Sequence, residues 1–254
     1  MTRAFRAALA LEERKLVRSP VARIATASVL AVNLITTIGG YAAATHAAGT
    51  ELGRKAAGLV AAPGWPGFTG LAAMGIGITM LLASGILMAW SAGREFADNT
   101  VVGLFAVPPA PATIAAAKLA TTLTWVVLVS STTAVAAGLG GLALGLPWAG
   151  AGLHAGVIAA VGVLLGAAAV PCMWVATRGR GYLPGIGAAL ALVVVSNVAA
   201  GFGLGRFIPW TFPVLWATPG TQTPGGLLLA PLIVSALGAW GVLHSWRTLQ
   251  LGSL

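Results

Sequence analysis

Carboxylates are nearly absent from this 254-residue chain: it has five Asp and Glu, against fourteen Lys and Arg, for a net charge of +9. Charged residues of both signs make up 7% of the sequence, where a soluble domain carries about 25%. So few charges cannot cover the surface of a water-soluble fold, and soluble classes are excluded. The single cysteine, Cys172, lies in an apolar run and has no partner for an internal disulfide. No G-x-x-x-x-G-K-[ST] loop occurs, so this chain does not cradle ATP phosphates by the usual device. Neither H-E-x-x-H nor G-x-S-x-G occurs, and His46, His154 and His244 fall singly at the ends of apolar runs. No metal and no cofactor is expected on the chain itself.

What the sequence has in abundance is apolar length. Hydrophobic residues are 58% of the chain, and six runs reach the ~20 residues that cross a bilayer as helix. They are placed at residues 21–43, 67–90, 113–138, 152–174, 184–205 and 224–245. The reading is an all-α integral membrane protein, one domain over residues 1–254, since no loop is long enough for a second one and no repeat period is visible. The centres of the six runs contain no Asp, Glu, Lys or Arg, which argues against an ion-coupled pump with a titratable relay.

The basic residues then sort by side. Arg3, Arg6, Arg14, Lys15, Arg18, Arg23, Arg94, Lys118, Arg178, Arg180 and Arg247 fall on one face, and only Arg54, Lys55 and Arg206 on the other. The positive-inside rule puts the first group in the cytoplasm, with both termini cytoplasmic. The same rule accounts for the excess charge, and no nucleic acid partner is expected. The Ala42-Ala43-Ala44 run resembles a signal cleavage site, but Glu12 and Glu13 and the long charged stretch before it do not fit a signal peptide. Residues 3–18 read instead as an amphipathic helix lying on the inner membrane surface, with Phe5, Ala8, Leu9 and Leu16 on one face. Glu12 falls on the apolar side. Ser19-Pro20 then turns the chain into the first span, and Lys118 is expected to snorkel to the inner headgroups. The outer loop 44–66 carries Pro63-Gly64-Trp65-Pro66, a turn with an interfacial tryptophan. Loop 203–226, rich in Pro and Trp, is expected at the outer interface.

Inside the spans the polar residues are small. Asn33, Thr36 and Thr37 lie in the first, Ser196 and Asn197 in the fifth, and Gly162-x-x-x-Gly166 in the fourth. The glycine spacing suits close helix packing. Asn33, Thr37 and Asn197 have two readings, helix-packing contacts or the lining of a transport path, and both place the amides toward the bundle.

The densest polar stretch is Gly93-Arg94-Glu95-Phe96-Ala97-Asp98-Asn99-Thr100, followed by an apolar run and Pro108-Pro109-Ala110-Pro111. On a helix over residues 93–107, Arg94 and Asp98 share a face, beside Glu95 and Asn99. Phe96, Thr100, Leu104 and Val107 share another, suited to resting on the inner leaflet. Membrane topology needs only the basic residue here. Glu95 and Asp98 therefore point to a docking element.

These features resemble the type-2 ABC exporter permeases, six-span subunits of bacterial drug, antibiotic and lantibiotic export systems. The resemblance is carried by Arg14-Lys15-Leu16-x-Arg18-Ser19-Pro20, by the 93–100 island, and by Val101-x-Gly103-Leu104-Phe105-Ala106-x-Pro108 with Lys118. The family often has a Ser-Arg pair after the proline; here Pro109-Ala110-Pro111-Ala112 stands instead. The resemblance implies an N-terminal elbow helix and a cytoplasmic coupling helix between spans two and three. Through Arg94, Glu95, Phe96, Asp98 and Thr100 that helix would contact a separate ABC ATPase, which holds the ATP and Mg. It further implies a homodimer, or a heterodimer with a related permease, in a bacterial cell membrane. The implied role is export, not catalysis by this chain, of an amphipathic or hydrophobic substrate. Two alternatives differ in class. One is a passive channel or assembly subunit without an ATPase; the other is an intramembrane enzyme using His154 with Ser130 or Ser131.

Overall fold

The computed structural model describes residues 3–106 and 109–249. Among the described residues, six helical segments are long and apolar enough to cross a bilayer: Pro20–His46, Gly64–Ala97, Pro111–Ala143, Ala151–Arg178, Tyr182–Gly201 and Gly225–Arg247. They are numbered here as the first to sixth spans. The physical reason for an all-helical chain is that lipid offers no hydrogen bonds. Each apolar run must close its own backbone, and a helix does so within one segment.

The ends are set by local chemistry. Ser19 accepts the Ala22 N–H at 3.0 Å, with Pro20 in the first turn where its missing N–H costs nothing. Pro111 begins the third span in the same way. The first span is interrupted by a π-helical turn at Ile35–Gly39. The fourth breaks at Ala168 and Ala169, because Pro171 brings no N–H to the helix ladder.

The second and fourth spans are the most enclosed, whereas the first, fifth and sixth leave most of their surface outside the bundle. The second span is the axis of the fold. It packs on the fourth and fifth and supplies Phe68, Ile76, Met80, Leu87 and Met88 to the core, each fully buried. The third span packs on the fourth, and the sixth covers the inner half of the fourth.

The N-terminal helix Arg3–Arg18 forms, and Ala8, Glu12 and Leu16 are buried where it packs on the third span. Two expectations are corrected. Residues 93–107 are not one separate helix. The second span continues through Ala97 because nothing after Trp90 breaks it; Asn99 then turns left-handed at φ 55° and a 3-10 segment follows over Thr100–Ala106. Val107 lies outside the described residues. Finally, the chain after the fifth span folds back into the bundle. The Trp210 indole donates to the Ala168 carbonyl at 3.0 Å, the group freed by the break before Pro171. Ala168 is about 25 Å along the axis of the fourth span from Ala151. The short helix Phe212–Ala217 packs against the second span there.

Candidate functional site

Four charged side chains converge where the N-terminal helix, the inner end of the second span and the start of the third meet. Lys118 is fully buried, and Glu12 and Glu95 nearly so. The Lys118 ammonium donates to Glu12 Oε2 at 2.9 Å, to Glu95 Oε1 at 2.9 Å and to the Ser91 carbonyl at 3.0 Å. An ammonium has three N–H groups, and all three are used. Lys15 donates to Glu12 Oε1 at 2.8 Å and to Glu95 Oε1 at 3.2 Å. The other Glu95 oxygen accepts the Thr100 hydroxyl at 2.7 Å. Two carboxylates and two ammonium groups therefore balance in charge and close each other's hydrogen bonds.

A buried charge cluster survives only when it is completed in this way; a partly paired one is costlier than an apolar core. Lys118 does not snorkel to headgroups, because two carboxylates reach it inside the protein. Glu12 sits on the apolar face of its helix because that face covers Lys118. Its misfit to the helical pattern was the one signal in the sequence that could have found this cluster.

The five residues picked from the charged island separate. Glu95 faces inward to the cluster. Arg94 lies over the Trp90 ring, 4.5 Å from its centroid, and 4.0 Å from Glu95; it forms no ion pair with Asp98. Phe96 is buried edge-on against Trp246 of the sixth span, with centroids 6.0 Å apart. The Thr100 hydroxyl turns back to Glu95. Only Asp98 presents a charge outward, beside exposed Asn99, Val102 and Gly103. Immediately above, the second and fifth spans touch backbone to backbone. A Cβ on Gly93 would stand 2.3 Å from the Tyr182 nitrogen.

Farther out, the same two spans separate around a cavity of about 370 Å³. Ile78 and Leu81 of the second span, Leu165, Val214 and Trp210 give it apolar walls, and Ser196 and Asn197 add polar groups. The Ser196 hydroxyl is buried without a hydrogen-bond partner among the described residues. Asn33 and Thr37 lie elsewhere, buried in the first span. The Asn33 amide donates to the Val29 carbonyl at 2.8 Å and to Thr79 of the second span at 2.6 Å. Asn33 and Asn197 are thus not brought together in one cavity.

Gly162 and Gly166 lie where the fourth span meets the second and third. Cβ atoms there would stand 2.7 Å from Ser130 Oγ and 2.6 Å from Val126. His154 pairs through Nδ1 with the Thr69 hydroxyl at 2.8 Å and stacks on Trp65. Ser130 faces Gly162 and its hydroxyl has no hydrogen-bond partner among the described residues, so a His154–Ser130 pair is not assembled. Trp65, expected in an interfacial turn, is buried and donates to the Pro147 carbonyl at 2.7 Å.

A family model described as ABC-2 family transporter protein matches residues 8–196. That stretch runs from the N-terminal helix into the fifth span and contains all four members of the charge cluster. No curated protein matches the chain.

Proposed function

This chain belongs to the ABC-2 transporter family, a multi-pass membrane component of an ABC transporter, and on that premise we propose that it is an export permease driven by a separate ATPase. The docking element is the exposed edge at Asp98, Val102 and Gly103, not the whole 93–107 segment. ATP and Mg belong to the ATPase, and this chain carries no catalytic step. Glu95 is a positioning residue behind the docking edge.

The observation that carries the reading is the continuity of one helix. The second span ends at the exposed edge, is clamped to the N-terminal helix and third span by Lys118, and lines the cavity farther along. A push on the edge therefore moves the cavity wall. Transport requires only that the ligand bind the two resulting states unequally. Apolar walls with Ser196 and Asn197 at one side suit an amphipathic molecule bearing a hydroxyl or amide.

Orientation follows from the charge asymmetry, with both termini cytoplasmic in a bacterial cell membrane. Cysteine placed at Thr50 should react with an impermeant thiol reagent in intact cells, and cysteine at Gly179 should not. Purification of the tagged chain in mild detergent should bring an ABC ATPase with it. Labelling of Gly179→Cys from outside, or an ATPase-free complex with full transport activity, defeats the proposal.

A further inference from the structure

We propose that this chain holds one anionic phospholipid of the inner leaflet, its acyl chain in the groove between the first and second spans and its phosphate at Arg94. It rests on the transporter reading only for the orientation that puts Arg94 at the cytoplasmic side. The groove has a volume of about 400 Å³, with Val21, Ile24, Val29 and Val32 on its first-span wall and Leu82 and Ile86 on its second-span wall. Ile24, Ser28 and Val32 are exposed along its edge, so its side is open toward lipid.

Its length is that of one leaflet. Val21 and Val32 are about 16 Å apart along the helix axis, half of the ~30 Å hydrocarbon core. The outer end is closed at mid-membrane. There the Asn33 amide donates to the Thr79 hydroxyl at 2.6 Å, and a Cβ on Gly75 would stand 2.9 Å from Asn33 Oδ1, so the two spans touch. A groove open to lipid at the side and blind in the middle of the bilayer suits a single chain entering from the inner surface.

Apolar walls alone do not choose the headgroup, but the inner end does. Trp90 and Arg94 follow Ile86 at four-residue steps on the same face of the second span. The Arg94 guanidinium lies over the Trp90 ring, and its Nε is 4.0 Å from Glu95 Oε1, too far for a hydrogen bond. Glu12 and Glu95 are already paired with Lys15 and Lys118. Among the described residues Asp98, one turn farther on, forms no ion pair with Arg94. Arg94 is therefore a cation in excess, at the depth where tryptophan favours headgroups. Around it the field is positive, since Arg14, Arg18 and Arg23 are exposed at the entry to the first span against Glu13 alone. A guanidinium fork matches a phosphate, and the inner leaflet presents anionic phospholipids to basic residues. Because Arg94 precedes Asp98 by one turn, a phosphate held there ties the docking edge to the membrane surface.

The test uses the full chain purified in mild detergent, offered equal amounts of phosphatidylglycerol and phosphatidylcholine and read by native mass spectrometry. The parent should retain one phosphatidylglycerol per chain in preference to phosphatidylcholine. Ser28→Trp, which fills the groove from an exposed position, should abolish that retention. Ala27→Trp, exposed at the same depth but outside the groove lining, should not. Arg94→Gln should keep a bound lipid but cut the preference about fivefold, the weight of one basic residue near an anionic surface. Retention by Ser28→Trp at the parent's level overturns the groove as the site. A preference that Arg94→Gln leaves unchanged overturns the headgroup assignment. Equal retention of the two lipids by the parent marks a non-selective annular contact and overturns the anionic class. A parent that retains neither lipid overturns the whole proposal, while the permease reading, tested by ATPase co-purification, stands.

Discussion

The inner and outer halves of the second and fifth spans are built on opposite plans. At the inner end the two helices touch at Gly93 and Tyr182, and the buried carboxylates of Glu12 and Glu95 beside them are paired with Lys118 and Lys15. In the outer half the helices part, and the Ser196 hydroxyl beside the cavity has no hydrogen-bond partner among the described residues. A closed network specifies one geometry; unpartnered groups beside free volume leave room for a ligand. Under the proposed function, the inner half would transmit force and the outer half would bind the substrate.

The contrast breaks most visibly at Lys118. Lys118→Met leaves the two buried carboxylates Glu12 and Glu95 to share Lys15, and loss of one partner from a buried pair costs about 3–5 kcal/mol. Thermal unfolding in detergent should show a large drop in stability. Adding Glu12→Gln and Glu95→Gln should restore much of it, because the uncompensated charges are then gone. A Lys118→Met chain as stable as the parent removes the network as a structural clamp.

Glu95 and Asp98 should now diverge, though the sequence presents them as equivalent. Glu95→Ala should lower stability as well as coupling, since Lys118 loses one of its three acceptors. Asp98→Ala should leave unfolding unchanged and weaken ATPase association. A desolvated charge pair at an interface is worth about 1.5–7 kcal/mol, while a rim pair is worth little. Equal effects of the two substitutions on unfolding would erase the distinction between positioning and docking.

The close approach at the inner end should be less costly to disturb than the charges. Gly93→Ala pushes a methyl into the Tyr182 backbone, and overpacking of this kind costs about 1–3 kcal/mol. Gly103→Ala, with open space around it, is the matched control and should leave unfolding unchanged. The smallest stability effect belongs to Ser196→Ala, which removes an unpartnered hydroxyl without opening a packed contact. It should leave unfolding unchanged while altering substrate stimulation of ATP hydrolysis. A clear loss of stability in that variant would mean that Ser196 packs and does not bind.

The six spans were legible in the sequence because apolar length and backbone closure in lipid decide them locally. The charged island was legible as a feature, but its division was not. No local rule says that Glu95 turns in and Asp98 out, since the deciding partners, Glu12 and Lys118, lie 83 residues before and 23 after Glu95 in the chain. Glu12 on the apolar face of its helix was a usable sign of a buried cation beneath it. Loop 203–226 was misplaced for a related reason. Its tryptophans suit a headgroup setting, but Trp210 finds a better acceptor in the carbonyl freed ahead of Pro171, 42 residues away. Long-range pairing of freed backbone groups is invisible to periodicity.

The docking edge is most directly tested by a cysteine at Val102, in the Cys172→Ala background, carrying a short photoactivatable cross-linker in membranes that contain the partner ATPase. The expected product is a covalent adduct of this chain with the ATPase, formed at Val102 and absent when the probe sits at Thr50 in the outer loop. An ATPase that co-purifies with the chain yet never cross-links at Val102 would contradict the assignment.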